Sequence, residues 1–346
     1  MSAIRVGVVG ASFGGTVHVP AYRAQGRFEV VALASPNSAA EIARERHIPH
    51  AFASIEAMLE GVELDVVSIA SPPYDHKRSV LASLARGKHV LCEKPFGLNV
   101  AEAEEMLAAA ERAGTICALA HEFRYLSSSL ALRELVANGH LGPLRALEVS
   151  WATTFLRAGS TARARSWWFE RARGGGITGA VLSHTIDLAT WIAGRAPVEA
   201  RGFERTANPQ RRDARGEYRS DVADGAFAEV DYGEGAIATL TVDGTRAVES
   251  ALVAVHGEQR TAVTSGKSLV ETTTFVVDAE ETSELELAPQ PHAALAAAHG
   301  NLPAFTTLLG EFAAALDGKP ATLPTFRDGL ATQRVLAAVG YSVATS

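Results

Sequence analysis

The chain has 346 residues, of which 47% are hydrophobic and 21% are charged, and its formal net charge at pH 7 is −7. This length predicts two globular domains. The acidic balance argues against a nucleic-acid partner, which would require a basic face. The sequence contains no window of about 18 apolar residues and no signal-peptide pattern at its start, so we expect a cytoplasmic protein without a membrane partner.

The two cysteines, Cys92 and Cys117, lie in apolar runs and lack the spacing of a metal site. Two cysteines are also too few for a disulfide framework. We therefore expect buried free thiols in a reducing compartment, and no bound metal.

Short apolar runs alternate with helical patterns over the first third of the chain. The runs predict strands at residues 4–9, 28–34, 66–70, 89–92 and 116–120. The patterns between them predict a helix ending near Gln25 and helices at residues 39–46, 75–86 and 101–112. Apolar strands that each precede a helix indicate a parallel, doubly wound sheet of the Rossmann type. We therefore predict an N-terminal α/β domain over residues 1–121.

The pattern changes after about His121. Helices are predicted at residues 130–137 and 181–193, and strands at residues 144–154, 227–232, 236–242, 251–255 and 269–277. A basic cluster from Arg201 to Arg219 has acids interleaved, which predicts a solvated loop. The tail returns to helix at residues 302–316 and 327–343. We predict an α+β domain over residues 122–346 with a large, mostly antiparallel open sheet, and we expect its last helices to pack towards the first domain.

The first predicted strand runs into a glycine-rich turn, Gly10-Ala-Ser12-Phe-Gly14-Gly15. The amino end of a helix offers unpaired N–H groups, and glycine lets the backbone approach a phosphate closely. The turn therefore predicts a pyrophosphate site, with a plain tight turn as the alternative. Ser12 stands where such turns usually have a second glycine. Pro20 falls within the helix that follows and should shorten or kink it.

The second predicted strand ends in Ser35-Pro36-Asn37-Ser38. An acidic residue at this point would bond the ribose 2′-hydroxyl of NAD. Without that carboxylate a 2′-phosphate is not repelled, and Ser35 and Asn37 offer polar side chains to it. We therefore expect an NAD(P) cofactor, with NADP slightly favoured over NAD.

Glu93-Lys94-Pro95 follows directly on the strand predicted at residues 89–92. Ligands of open α/β sheets bind beyond the carboxyl ends of the strands, which places Lys94 at the cofactor crevice. We expect burial near a cationic nicotinamide to lower the pKa of Lys94 towards neutrality, so that it acts as general acid or base during hydride transfer. The alternative is a surface lysine paired with Glu93.

Several motifs occur in a fixed order along the chain. They are the glycine turn at residues 10–15, Ser71-Pro72 with His76, Gly87–Val90 with Glu93-Lys94-Pro95, Gly174–Gly176 with His184 and Asp187, and Phe326–Gly329. Together they resemble the Gfo/Idh/MocA family, named for glucose–fructose oxidoreductase, inositol dehydrogenase and rhizopine catabolism. The resemblance spans essentially the whole chain and is most specific from Ser71 to Pro95.

The resemblance implies a Rossmann domain, a second domain whose open sheet joins copies into a dimer or tetramer, and NAD(P)-dependent oxidation or reduction of a sugar, cyclitol or related compound. It also implies roles for individual residues. The pyrophosphate would be lined by Gly10, Ser12, Phe13 and Gly14, and the ribose and adenine side by Ser71, Pro72 and His76. Glu93 would bond the nicotinamide ribose, and Lys94 and His184 would be catalytic. Arg124 and Trp167 fall near positions that line the cofactor or substrate pocket.

The family pattern usually has an aspartate four residues before the histidine of the second domain, here His184, and a glycine two residues before it, and this chain has Ala180 and Leu182 at these positions. The loss of the aspartate is the departure that matters. Residues four apart share a face of an α-helix, so the change removes one candidate proton relay and one substrate contact. Tyr125 is a candidate to take over the role of the missing aspartate. The alternative is that Tyr125 is a packed aromatic residue. Asp187 is a candidate substrate contact, against the alternative of a structural residue that bonds backbone.

Three functions remain open at this point. The first is a hydride-transferring oxidoreductase, which the complete Glu93-Lys94-Pro95 motif favours. The second is a catalytically inactive sugar- or dinucleotide-sensing protein, and Ala180 is its best support. The third is a lyase or glycosidase that uses bound NAD only transiently.

Overall fold

The computed structural model describes residues 3–160 and 164–344. The strands are β1 (Ile4–Val9), β2 (Phe28–Ala34), β3 (His50–Phe52), β4 (Val66–Ile69), β5 (His89–Cys92), β6 (Cys117–Leu119), β7 (Leu144–Ala152), β8 (Glu199–Arg205), β9 (Gln210–Asp213), β10 (Gly216–Arg219), β11 (Gly225–Asp231), β12 (Ile237–Asp243), β13 (Ser250–Gly257), β14 (Thr261–Ser268), β15 (Glu271–Val277) and β16 (Thr282–Glu284). The α-helices are α1 (Val19–Gln25), α2 (Ala39–Glu45), α3 (Ile55–Gly61), α4 (Pro73–Ala85), α5 (Val100–Ala113), α6 (Ser127–Ala137), α7 (Ser183–Ala193), α8 (Leu302–Leu316) and α9 (Phe326–Val339).

The chain divides into two compact units. The first contains the residues up to Tyr125 together with Gln290–Leu330. The second contains Leu126–Pro289 together with the residues from Ala331 onward. The first unit therefore includes a segment from the end of the chain, with helix α8.

The first unit is built on a parallel sheet with the strand order β3-β2-β1-β4-β5-β6. Its central strands are apolar and buried, since helices cover them. Met58 of α3, Val80 of α4 and Met106 of α5 pack with Val67 and Ile69 of β4 in one core cluster. The predicted doubly wound parallel sheet is confirmed, and the strand order reverses direction between β1 and β4.

The helix after the glycine turn begins differently from the prediction. Gly14–His18 forms a π-helical turn, and the α-helix starts only at Val19. Pro20 is the second residue of α1 and lies within a continuous helical run from Ser12 to Gln25, directly after the π-helical turn. It has no N–H to donate to the preceding turn. The patterns also predicted neither β3 nor α3, which are short.

The second unit contains a mixed sheet with the strand order β16-β15-β14-β13-β7-β12-β11-β8. Strands β7 and β12 are parallel and the other neighbours are antiparallel, which confirms a large, mostly antiparallel sheet. Helix α7 packs against β7 and β12 on one face of this sheet. The other face carries side chains that lie in register across five strands, Phe203, Phe227, Thr241, Ser150 and Leu252.

One local prediction for the second unit was wrong, and one predicted strand starts two residues later than expected. The basic segment from Arg201 to Arg219 is not a solvated loop, because β8 joins the large sheet and β9 and β10 form a separate hairpin. Arg211 of that hairpin is partly buried, with its guanidinium 5.2 Å from the ring centre of Phe169 and 3.8 Å from Asp224. The strand predicted at residues 269–277 begins at Glu271, since the two residues before it form the turn from β14.

The tail has helix α8 at the predicted residues, and α9 ends four residues before the predicted end at Val343. In the parts of the chain that the structure describes, no helix combines the length and the apolar character needed to cross a bilayer. The same residues contain no group of three His, Cys, Asp or Glu side chains arranged for a metal ion. Cys92 is buried and Cys117 is partly buried, and both are free thiols.

Candidate active site

The candidate site in the first unit lies at the carboxyl edge of the parallel sheet. Strands β1, β4, β5 and β6 are neighbours and run in the same direction, so the residues that follow them meet at one edge. These residues are Gly10 after β1, Ser71 after β4, Glu93 after β5 and Glu122 after β6. The reversal of strand order between β1 and β4 is where open α/β sheets bind ligands.

The glycine turn allows a close approach of two backbones. Gly10 has φ +101°, and a Cβ atom at this residue would lie 2.4 Å from the carbonyl oxygen of Ala70. A Cβ atom at Gly14 would lie 2.9 Å from Cγ1 of Val8. Ser12, between them, is exposed. A side chain at Gly10 or Gly14 would fill the space in which the strand, the turn and the following helical segment meet. A turn without side chains at these positions fits the pyrophosphate of a dinucleotide.

The segment after β2 carries the residues predicted to lie near the adenosine ribose. The Ser35 N–H donates to the carbonyl of Phe52 over 3.0 Å. The Ser35 hydroxyl lies 3.2 Å from that of Ser38, and Asn37 is exposed. This end of the strand therefore presents hydroxyl and amide groups.

His76 connects the turns after β4 and β5. Its ring is fully buried, with Nε2 2.9 Å from the carbonyl oxygen of Ser71 and Nδ1 3.0 Å from that of Pro95. Burial lowers the pKa of His76, although the two carbonyls and the charge of Glu93 oppose the change. A neutral imidazole has a single N–H, so His76 donates to one of these two carbonyls at a time. It lies between the turns that carry Ser71 and Pro95.

Glu93 and Lys94 stand side by side at the end of β5. The Nζ atom of Lys94 lies 4.0 Å from Oε2 of Glu93, and the Lys94 backbone N–H donates to the same oxygen over 3.3 Å. The Lys94 side chain is 17% exposed, whereas Glu93 is buried. The peptide bond between Lys94 and Pro95 is cis.

The other oxygen of Glu93 contacts His18, a residue that the sequence patterns did not identify. Nε2 of His18 lies 3.1 Å from Oε1 of Glu93, and Nδ1 lies 2.8 Å from the hydroxyl of Ser68 on β4. Burial of Glu93 raises its pKa, but the hydrogen bond with His18 and the charge of Lys94 outweigh burial and hold it below the ordinary value. Glu93 is therefore a carboxylate at neutral pH.

Glu122 is a second buried carboxyl at the same edge, and it was not predicted either. The Asn301 side-chain amide donates to its Oε1 atom over 2.8 Å. Burial, together with the charge of Glu93, raises the pKa of Glu122 to about 8, although the charge of Lys94 acts in the opposite direction. Glu122 is therefore mainly a neutral acid at pH 7.

Arg124 and Tyr125 are buried in the first unit and have partners within it. Arg124 Nη2 lies 3.3 Å from a carboxylate oxygen of Asp328. The Tyr125 hydroxyl donates to the carbonyl of Thr322 over 2.5 Å. The contact of Tyr125 supports a structural role for its hydroxyl.

The remaining predicted site residues lie in the second unit. His184 is the second residue of α7, is buried, and has its ring centre 6.4 Å from that of Trp151 on β7. Asp187 is buried on the same helix, close enough to Tyr232 for its charge to add to the effect of burial, which raises the pKa of Tyr232. Trp167 begins a short 3-10 turn and is partly buried.

Ala180 lies in a π-helical turn, Thr178–Leu182, directly before α7. The spacing argument for Ala180 and His184 assumed an α-helix, but hydrogen bonds in a π-helix join residues five apart. Each unit thus has a π-helical turn beside a buried histidine, His18 in the first and His184 in the second. Such turns are frequent at functional sites.

Two family models match the chain. One is described as an oxidoreductase family with an NAD-binding Rossmann fold and matches residues 4–121. The other is described as the GFO/IDH/MocA C-terminal domain and matches residues 129–263.

Individual proteins are similar to the chain over different lengths. An uncharacterized oxidoreductase of Synechocystis sp. is 33% identical over 198 residues, which are 56% of this chain and 52% of that protein, so the match spans about half of the relative's length. The 1,5-anhydro-D-fructose reductase of Ensifer adhaerens is 28% identical over 337 residues, 94% of this chain and 92% of that protein. The solved structure of levoglucosan dehydrogenase in complex with NADH has a TM-score of 0.84 at 20% identity, over 98% of this chain and 96% of that chain, and shows the same fold.

Proposed function

Because the chain belongs to the Gfo/Idh/MocA family of NAD-binding oxidoreductases, we propose that it transfers a hydride between a nicotinamide dinucleotide and a sugar, cyclitol or related polyol or carbonyl compound, with Lys94 as general acid/base. The observation that carries the proposal is the position of Lys94. It follows β5 at the carboxyl edge of the sheet, on the same side as the glycine turn after β1. A lysine at this edge is within reach of ligands that bind there.

The residues around the glycine turn would hold the dinucleotide. Those we assign to it are Gly10, Ser12, Phe13, Gly14, Ser35, Asn37, Ser71, Pro72, His76, Glu93 and Lys94. When bound, the dinucleotide supplies or accepts the hydride. The protein would hold the pyrophosphate through backbone N–H groups and keep the substrate oxygen near the ammonium group of Lys94.

Lys94 would move the proton that accompanies the hydride. In reduction its ammonium group donates a proton to the substrate oxygen, and in oxidation its amine accepts that proton from the hydroxyl. Glu93 stays ionised beside it, because its pKa is held low by His18 and Lys94 against the effect of burial. By the family resemblance we also assign a catalytic role to His184, and substrate contacts to Asp187, Trp167 and Arg124.

We propose NADP ahead of NAD as the cofactor. The end of β2 carries the Ser35 and Ser38 hydroxyls and the exposed Asn37 amide. These groups can donate hydrogen bonds to a 2′-phosphate, whereas an acidic residue there would repel it.

A sugar- or dinucleotide-sensing protein is the second candidate function. Ala180 stands where the family usually has an aspartate, so one acid–base group of the second unit is missing. A sensing protein would bind the dinucleotide without turnover of any sugar. A lyase or glycosidase that uses NAD transiently would form product without net change in the cofactor.

The test is a turnover screen with NADH, NADPH and their oxidised forms over 1,5-anhydro-D-fructose, levoglucosan, D-glucose, myo-inositol and sugar acids. Lys94→Ala should lower the rate by about 10²–10⁴-fold, the range for removal of an acid–base group, while the dinucleotide still binds. Lys88→Ala is the matched control, because Lys88 precedes the opposite end of β5 and its side chain is also partly exposed. Unchanged turnover in Lys94→Ala would contradict the proposal.

We also propose that the open face of the large sheet joins copies of the chain. Phe203 on the edge strand β8 is 60% exposed and stacks on Phe227 of β11. On the next three strands, Thr241, Ser150 and Leu252 lie in register with these two rings. An exposed face with large apolar side chains is typical of a protein–protein interface.

A further inference from the structure

His18 joins three segments of the first unit through buried polar contacts. The ring is fully buried at the last position of the π-helical turn Gly14–His18. It contacts the Ser68 hydroxyl on β4 over 2.8 Å and the Glu93 carboxylate after β5 over 3.1 Å. The ring of Phe305 packs on it with a centroid separation of 4.6 Å. This packing and both hydrogen bonds restrict the orientation of the imidazole.

The contact with Glu93 determines one proton position on the ring. An ionised carboxylate has no proton to donate, so Nε2 of His18 must carry a hydrogen and donate it to Glu93. Nδ1 faces the hydroxyl of Ser68, which can donate or accept. Ser68 therefore supports the ring from the side opposite to Glu93.

The two oxygens of Glu93 have different partners. Oε1 accepts from His18, and Oε2 accepts from the Lys94 backbone N–H and lies 4.0 Å from the ammonium nitrogen. A carboxylate held at one oxygen cannot rotate without breaking that hydrogen bond. His18 thereby determines which oxygen faces Lys94.

The other ionisable groups around Glu93 do not make this contact. Both ring nitrogens of His76 on α4 contact backbone carbonyls, and burial lowers the pKa of this ring. Glu122, after β6, accepts a hydrogen bond from the Asn301 amide and interacts with Glu93 through charge. Among these groups, His18 is the one that donates directly to the Glu93 carboxylate.

We propose that His18 is a positioning residue for the reaction: it orients the Glu93 carboxylate towards the ammonium group of Lys94, and Ser68 orients His18. The inference rests on the proposed role of Lys94. The proposal also assigns a role to the π-helical turn. The turn ends at His18, one position before α1 begins, and the ring of this residue reaches Glu93.

Three substitutions at one position test the proposal. His18→Gln keeps an amide N–H near the position of Nε2 and can still donate to Glu93. His18→Asn places its amide near the position of Nδ1, where it faces Ser68, and His18→Leu removes both contacts. The control is His89→Gln, since His89 starts β5 at the end opposite to Glu93 and its Nδ1 accepts from the Ile116 backbone.

The first measurement is a carboxyl carbon NMR titration of Glu93 in the full chain without ligand, with the resonance assigned through Glu93→Gln. We expect the pKa of Glu93 to rise in His18→Asn and His18→Leu, and to stay close to that of the unchanged protein in His18→Gln and His89→Gln. The second measurement is kinetic, on the sugar with the highest turnover in the screen. His18→Asn and His18→Leu should lower kcat by about tenfold to a hundredfold, the effect of misplacing a reacting group.

The outcomes separate the two proposals. An unchanged Glu93 titration in His18→Leu overturns the role of His18, even if Lys94→Ala abolishes turnover. A raised pKa of Glu93 together with full activity of Lys94→Ala supports the orientation of Glu93 and overturns the proposed function. If His18→Leu does not fold, Ser68→Ala gives the same test with a smaller expected rise in the pKa of Glu93, and no rise overturns the proposal.

Discussion

Replacing Glu122 with glutamine should make the folded protein less sensitive to alkaline pH. Glu122 is 1% exposed, and burial raises its pKa to about 8 from an ordinary value of 4.5. In the unfolded chain the carboxyl loses its proton near the ordinary value, whereas the folded protein keeps the proton until about pH 8. The contribution of Glu122 to the free energy of unfolding therefore falls as the pH rises between these two pKa values, and it stays constant above them.

The magnitude follows from the two pKa values. One pKa unit corresponds to about 1.4 kcal/mol, so a pKa of about 8 against 4.5 corresponds to at most about 5 kcal/mol of stability lost across this range. Glutamine has the shape of the neutral acid and can accept from Asn301 in the same way. Glu122→Gln should therefore equal the unchanged protein to within about 1 kcal/mol near pH 5 and exceed it by several kcal/mol near pH 9.

The assay is urea unfolding of the full chain at a series of pH values. Circular dichroism follows both units, whereas tryptophan fluorescence follows the second unit, which contains Trp151, Trp167, Trp168 and Trp191. The difference between the two signals identifies the transition of the first unit. Comparison of the unfolding curves of the two proteins at each pH then isolates the contribution of Glu122 to stability, because the two proteins share all other ionisable groups.

The matched control is Glu102→Gln. Glu102 is also a buried carboxyl of the first unit, but its side chain accepts from the Leu98 backbone N–H over 2.9 Å. This substitution should give no gain of stability at high pH. Parallel stability curves for the unchanged protein and Glu122→Gln from about pH 5 to about pH 9 would refute the reasoning about Glu122.

Three further substitutions test other parts of the structure. Gly10→Ala should destabilise the protein and weaken dinucleotide binding more than Gly26→Ala. An alanine at either position has positive φ, at a cost of about 1–2 kcal/mol, but only at Gly10 would its Cβ atom lie against the Ala70 carbonyl. Equal effects of the two substitutions in denaturation and calorimetric titration would contradict this. Ser35→Asp should shift the ratio of NADP to NAD affinity towards NAD, and tighter NAD binding by the unchanged protein in fluorescence titrations would contradict the assigned preference. Phe203→Glu should lower the molar mass measured by light scattering if the open sheet face joins copies, and an unchanged oligomer would exclude this residue from the interface.

The parallel sheet could be predicted because its strands are short apolar runs that end at clear turn signals. Strands β1, β2 and β5 lie at the predicted residues. Strand β3 has three residues, two of them exposed, so it has neither the length nor the apolar pattern of a buried strand. Local sequence cannot reveal such an element, because its place in the sheet comes from pairing with β2.

The basic segment of the second unit shows a different limit. Charge alternation from Arg201 to Arg219 resembles a solvated surface, yet Arg211 lies against Phe169 and near Asp224. These contacts join residues that are distant in sequence, and they compensate the burial of the guanidinium group. The pattern of charges could not show that a partner would be present.

The candidate site was predictable where a motif places residues directly after a strand, as Glu93 and Lys94 follow β5. His18 and Glu122 were missed because each depends on a contact across the fold. His18 is 75 residues from Glu93, and Glu122 is 179 residues from Asn301. The available signal for His18 was its place four residues after Gly14 at the start of the helix, which turns its ring towards the sheet edge.

Glu93 and Glu122 follow adjacent strands, and their surroundings move their pKa values in opposite directions. Both are buried, but Glu93 has His18 and Lys94 to stabilise its charge, whereas Glu122 has the neutral Asn301 amide and the charge of Glu93 beside it. Separation of this kind assigns one carboxyl as a charge and the other as a proton-bearing acid. Of these two carboxyls, Glu93 is therefore the charged one at neutral pH, and Glu122 adds its charge from about pH 8. The Glu93 carboxylate thus brings its charge beside Lys94 at one oxygen while His18 donates to the other, and this is the contact that the substitutions at His18 test.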